Sequence, residues 1–277
     1  MFFHRKELQF HAKPDRPDPL YAKKLQEILG GQFGEISVAM QYLFQGWNSR
    51  GDAKYKDLIM DTGTEEIGHC EMIATMIARL LDDAPVHEQE AAAKDPMIGA
   101  IMGGMNPHHA IVSGLGAVPE NSAGVPWNAG YIVASGNILA DFRANLNAES
   151  QGRLQVARLY EMTEDRGIKE MLSFLLARDT MHQNQWYAAI KELEEQQGVT
   201  VPASVPAEWE ATDFSYTLYN FSEGEEAKAG SWASGISPDG RGTFSYDSEP
   251  AAYGGKQELN PPPPYMHSTP PLQVKKL

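Results

Sequence analysis

Glu66-Ile67-Gly68-His69 and Asp179-Thr180-Met181-His182 repeat one spacing, a carboxylate followed three residues later by an imidazole, in two distant segments. Residues three apart share a helix face, so each pair aims both groups at one spot. Two such helices facing each other make a cage that calls for cations. A lone match carries little weight, because 37 acidic residues and 8 histidines yield one by chance as a solvated surface pair. The surroundings of the two pairs carry more.

The first pair lies in the second arm of a helical hairpin. Helical patterning runs from about Asp18 to Ser49, breaks at NSRGD, and resumes from Ala53 to about Leu81. Folding at Arg50-Gly51 sets residue 66 opposite Glu35. The second pair repeats this, with a run from about Ser135 to Thr163, a break at TEDRG, and a run from Ile168 to Gln197. Folding there sets His182 level with Glu149. Each position is roughly 24 Å from its turn at 1.5 Å rise per residue. Glu35, Glu66, His69, Glu149 and His182 therefore reach one height in a four-helix bundle.

Apolar stripes set which face is inside. They comprise Phe33, Ile36, Ala39, Met40 and Leu43; then Leu58, Ile59, Ile67, Ile73, Ala74, Ile77 and Leu80; then Met171, Leu172, Leu175, Leu176 and Trp186. Gly31 and Gly34 weaken a helix through that stretch. Either small residues make room there beside the cluster, or a helix simply starts near Gly34.

Inward carboxylates with a Glu-x-x-His spacing are the pattern of ferritin-like di-iron and di-manganese bundles. Burying these groups without a cation is prohibitively costly. Carboxylate oxygen with a minority of imidazole suits manganese or iron, and the absence of thiolates argues against zinc or iron–sulfur sites. Cys70 points about 100° away from His69 and reads as a small buried apolar residue.

The chain resembles the non-haem manganese catalases. The likeness runs from MFFHRKELQF through RLQVARLYEMTEDRGIKEMLSFLLARDTMHQNQW into the C-terminal tail. It implies that Glu35 and His69 bind one manganese, Glu149 and His182 the other, and Glu66 bridges the two. The implied reaction is disproportionation of hydrogen peroxide to water and dioxygen by two-electron steps. Asp179 stands where many members carry a glutamate near the metals, which makes it the candidate proton-transfer group; otherwise it is a solvent-facing charge beside Arg178. Tyr42, seven residues after Glu35, corresponds to a tyrosine that hydrogen-bonds a ligand glutamate, or is a buried tyrosine satisfied by backbone. Ala148 replaces an arginine that other members carry before the third glutamate, so the chain resembles the branch without that gate. Asp57, Asp61, Asn220, Ser222 and Gly224 correspond to a structural calcium site, for which hard oxygen donors are suited. The family also implies a homohexamer whose tails wrap neighbouring subunits.

Alternatives remain at this level. A di-iron peroxidase or oxidase would usually carry a full Glu-x-x-His in both hairpins, and Asp179 counts against it. A spore-coat structural protein could keep the fold with little turnover.

The expected class is mostly α, a ferritin-like four-helix bundle with a long crossover and an extended tail. Residues 1–17 form an arm with Pro14, Pro17 and Pro19 near its end. Residues 18–200 hold the bundle, interrupted by a glycine- and proline-rich excursion over 82–134, and 201–277 form the tail. A short helix is expected near His108 to Gly114, with His108 and His109 as a loop or helix-start pair rather than ligands. The tail lacks a core pattern of its own, and Phe244-Ser245-Tyr246 is its strand-like segment. A formal charge of −14 over 277 residues disfavours nucleic acid and anionic membranes. Peroxide is neutral and needs no steering field. The single cysteine and the lack of a leader or spanning stretch suit a cytoplasmic protein, with the spore coat as the alternative.

Overall fold

Side-chain caps mark where the long helices begin. The computed structural model describes residues 3–82, 106–203, 205–261, 263 and 266. Asp18 accepts from the Tyr21 amide to start α1 (Pro19–Gly30), and Asp52 accepts from Lys54 to start α3 (Ala53–Leu80). Asn137 opens α5 (Ile138–Glu161), and Asp165 opens α6 (Arg166–Gln197). Each side-chain oxygen satisfies an amide that the first helical turn leaves free. Gly198, at φ 64°, closes α6 in the left-handed conformation that suits glycine.

The single run expected from Asp18 to Ser49 is two helices, α1 and α2 (Glu35–Asn48). The break is closely packed, with room only for glycine. A Cβ on Gly30 would lie 2.3 Å from the Glu120 carbonyl oxygen, and one on Gly31 equally close to that of Glu27. Ser37 then donates to the Gly31 carbonyl at 2.9 Å, tying the new helix to the break. A helix start near Gly34 is the alternative that holds, and it makes Glu35 the first residue of α2.

Helices α2 and α3 pair as one hairpin and α5 and α6 as the other, with α1 against α3. Two apolar clusters fill the space between them. One joins Leu25 and Ile28 of α1 to Met72, Ile73, Met76 and Ile77 of α3, Val156 and Leu159 of α5, and Ile168, Met171 and Leu175 of α6. The other joins Val38 and Tyr42 of α2 to Tyr55 and Ile59 of α3, Leu139 and Phe142 of α5, and Trp186, Ile190 and Leu193 of α6. The hairpin turns thus sit at opposite ends, and the chain between α3 and α5 must return along the bundle. Residues 83–105 of that excursion lie outside the described residues. Helix α4 (Pro107–Ile111) falls in its second part.

Not every residue assigned to the inner stripes is enclosed. Ile67 is 40% exposed, since it follows Glu66 by one residue and is turned about 100° from the face that Glu66 buries. Phe33, Ile36, Leu58, Ala74 and Leu176 are partly buried against the clusters, and so is Cys70. Among the described residues no helix is long and apolar enough to cross a membrane.

The described residues from Val205 onward form a second compact unit. Within it β1 (Thr217–Tyr219) runs parallel to β3 (Thr243–Asp247), and β2 (Gly235–Ile236) runs antiparallel on the other side of β3. The Phe244-Ser245-Tyr246 segment is thus the central strand.

Before α1 the chain is fastened to the start of α6. Asp15 donates its amide to Asp165 at 2.8 Å and accepts from the Arg166 amide at 3.1 Å. A Cβ on Gly167 would lie 1.8 Å from the Lys13 carbonyl oxygen. Gly167→Ala should therefore destabilise the fold by about 1–3 kcal/mol, opposite in sign to the usual gain from alanine in a helix. Denaturant midpoints of the two proteins check this.

Candidate metal centre

Between the two apolar clusters lies a polar layer to which every bundle helix contributes. Glu35 comes from the first residue of α2, Glu66 and His69 from the middle of α3, Glu149 from α5, and His182 from α6. All five are buried, with His69 fully enclosed and Glu66 and His182 at 1% exposure. They form two groups suited to a cation, Glu35–Glu66–His69 and Glu66–Glu149–His182, with Glu66 common to both.

Glu66 divides its carboxylate between the two sides. Its Oε2 lies 2.6 Å from His69 Nδ1, and its Oε1 lies 2.8 Å from His182 Nδ1. Glu35 and Glu149 complete each group at 3.6 Å from His69 Nδ1 and His182 Nδ1 respectively. The imidazoles are stacked at 27° with centroids 5.9 Å apart.

Hydrogen bonding leaves part of this set unsatisfied. Glu66 Oε1 and His182 Nδ1 are buried and, although 2.8 Å apart, are not aligned as a hydrogen bond. Two lone-pair donors that close and misaligned are arranged to share a cation. Three carboxylates and two imidazoles, with no thiolate, match manganese or iron, so the residues present fit a two-metal centre.

The electrostatics point the same way. Burial pushes the Glu35 carboxyl well up, and Glu66 adds to the shift. Burial likewise raises Glu149, again with help from Glu66. For Glu66 burial is outweighed by His69 and His182, which hold it below the usual carboxylate range. The histidines move the other way. Despite burial, the Glu149, Glu65 and Glu66 carboxylates take His182 up to about 12, and Glu66, Glu35 and Glu65 raise His69. Positive charge on the imidazoles is what the carboxylates demand when no cation shares the layer.

Asp179 is buried rather than solvent-facing, at 5% exposure. Burial first, then Glu149 and Glu66, push its carboxyl up to about 8. It occupies in α6 the position that Glu66 holds in α3, yet it belongs to neither cation group. Tyr42 is fully buried and donates its hydroxyl to Glu149 Oε1, not to backbone. Ala148 packs in the cluster around Trp186. His109 is buried with Nε2 3.2 Å from Gln26 Oε1, and His108 Nδ1 lies 2.6 Å from Glu120 Oε1. Neither histidine joins a cation group.

Asp57 and Asp61 are exposed on α3. Asn220, Ser222 and Gly224 belong to the second unit, where the Ser222 amide donates to Asn220 Oδ1 at 3.0 Å and its hydroxyl reaches the Gly224 carbonyl at 3.3 Å. Neither unit alone holds all five.

One pair of residues escaped the sequence reading. Glu65 receives two hydrogen bonds from Arg178, Nε to Oε1 at 2.6 Å and Nη2 to Oε2 at 3.1 Å. It also faces His182 Nε2 at 3.3 Å and His69 Nε2 at 3.6 Å. Burial opposes its ionisation, but His182, His69 and Arg178 hold its carboxyl well below the usual range. The available signal was position: each residue lies four before a histidine, and they carry opposite charges.

Known proteins share this architecture. The family model described as manganese containing catalase matches residues 1–277. A manganese catalase of Bacillus subtilis is 71% identical over 269 residues, covering 97% of this chain and 98% of its own. A manganese catalase of Lactiplantibacillus plantarum is 50% identical over 268 residues, covering 97% and 99%. The crystal structure of KatB, a manganese catalase from Anabaena, aligns with a TM-score of 0.71 at 28% identity, covering 90% of this chain and all of that one.

Removing the shared carboxylate charge gives a direct check. Manganese(II) at about 100 times its dissociation constant should stabilise the native chain by about 2.7 kcal/mol. Glu66→Gln should lose most of that gain and fail to retain two ions, as read by denaturant melts with and without metal and by elemental analysis.

Proposed function

As the chain belongs to the manganese-containing catalase family, oxidoreductases that disproportionate hydrogen peroxide at a di-manganese centre, we propose the following roles for its residues. Glu35 and His69 hold one manganese, Glu149 and His182 hold the other, and Glu66 spans both. The observation that carries this reading is Glu66, whose two oxygens face imidazoles on different helices at 2.6 and 2.8 Å. A bound manganese pair supplies two-electron redox capacity at one place, so that one peroxide is reduced and another oxidised without release of radicals.

The protein's own part is positioning and proton handling. Two molecules of peroxide yield two of water and one of dioxygen. The molecule that leaves as dioxygen gives up two protons, and the one that becomes water takes up two. A group that stores a proton beside the layer serves both halves. Asp179 is that group: its carboxyl is buried beside Glu149 and Glu66 and belongs to neither cation group. The aspartate side chain is one methylene shorter than a glutamate and holds back from the cation groups, leaving room for substrate.

Tyr42 fixes one ligand. Its hydroxyl hydrogen bond orients Glu149, and its ring packs against Trp186 with centroids 5.1 Å apart. The apolar clusters above and below keep bulk water from the layer, which strengthens each electrostatic contact within it.

Assembly as a homohexamer and binding of a calcium ion belong to the same reading, by likeness to the family. Large apolar side chains exposed in the second unit, Phe221 at 85% and Trp232 at 57%, support a role for that unit in assembly. Mass measurement in solution checks the hexamer.

Purified protein should evolve oxygen from peroxide and contain manganese; iron in its place, or an occupied centre without oxygen release, would overturn the assignment. Asp179→Ala should cut turnover by about 10²–10⁴-fold while two manganese ions per chain are retained. Unchanged turnover would remove Asp179 from the mechanism.

A further inference from the structure

We propose that Glu65 is a positioning residue shared by both halves of the centre, one carboxylate that orients both histidines from behind. The proposal rests on the two-metal reading above and adds a link that the ligand set does not contain.

The geometry is nearly symmetric. Each histidine turns Nδ1 toward the carboxylates of the layer, so its Nε2 faces away from them. Both Nε2 atoms face Glu65. Its Oε1 takes the Arg178 Nε hydrogen bond and lies 3.6 Å from His69 Nε2; its Oε2 takes the Arg178 Nη2 hydrogen bond and lies 3.3 Å from His182 Nε2. Each oxygen therefore serves one guanidinium N–H and one imidazole. His69 Nε2 is buried without a hydrogen-bond partner, and Glu65 Oε1 is the acceptor beside it. Phe174 meets the His69 ring edge-on at 90°, with centroids 6.2 Å apart, and limits its rotation.

A metal-ligating imidazole commonly donates its second N–H to a carboxylate, which fixes its tautomer and orientation. Here one carboxylate must do this twice. Arg178 sets the plane of the carboxylate so that the two oxygens point to different rings. A plain ion pair between α3 and α6 would hold the helices but leave the orientation of the two rings, and so metal uptake, unchanged.

The test uses the full chain, stripped by chelation and titrated with manganese(II). Equilibrium dialysis gives affinity and stoichiometry, and electron paramagnetic resonance separates single ions from exchange-coupled pairs. The native chain should take up two ions and give the exchange-coupled signal. Glu65→Ala should weaken both ions about 10–100-fold. Glu65→Gln keeps the shape but offers one acceptor oxygen, so it should split uptake into one near-native and one weakened step. Native affinity and pairing in both variants would overturn the proposal, as would equal weakening of both steps in Glu65→Gln with pairing kept. A native chain that binds no manganese pair would instead sink the two-metal reading itself.

Discussion

A single carboxylate facing two imidazoles across the middle of the bundle is the contact on which the rest depends. Glu66 is 1% exposed and His69 and His182 no more, so water cannot solvate them. Bundles of this length are usually apolar throughout. This one interrupts its core with a layer of ionisable groups and places large side chains on either side, Met72 and Leu175 toward one end and Trp186 and Phe142 toward the other. The cost of desolvating that layer is offset when cations share the donors.

The two hairpins repeat each other in outline and differ where the chemistry needs it. Glu35 answers Glu149, and His69 answers His182. Glu66 is answered by the shorter Asp179, which joins neither group, so Glu66 is the carboxylate common to both. Glu65 is answered by Arg178. Two identical residues there would repel, whereas opposite charges pair across the seam at 2.6 Å.

Much of this was legible in the sequence because helix geometry converts spacing into position. The repeated carboxylate–histidine step and the turns at NSRGD and TEDRG brought the five donors to one height without knowledge of a contact. The helix break near Gly31 is open to two readings from sequence, because the close approach beside it, Glu120 against Gly30, comes from some ninety residues away. Ile67 was placed inside by its hydropathy, although its angle on the helix turns it outward. Glu65 was overlooked because acidic residues abound and its partner, Arg178, lies in the other hairpin. The relation of Asp57 and Asp61 to Asn220 came from family likeness, which spacing cannot supply.

Each hairpin carries a nearly complete mononuclear nest: Glu35 with His69 in one, Glu149 with His182 in the other. The contacts that cross between them include Glu66 to His182, Glu65 to His182 and Arg178, Tyr42 to Glu149, Thr62 to Gln185, and the amides of Gln41 and Gln45 to Asn145. The gap between the nests thus depends on how tightly the helices interdigitate as well as on Glu66. Trimming a methyl group at Ile73, or hollowing the pocket around Trp186, would be felt as a change of spacing between the two donor groups.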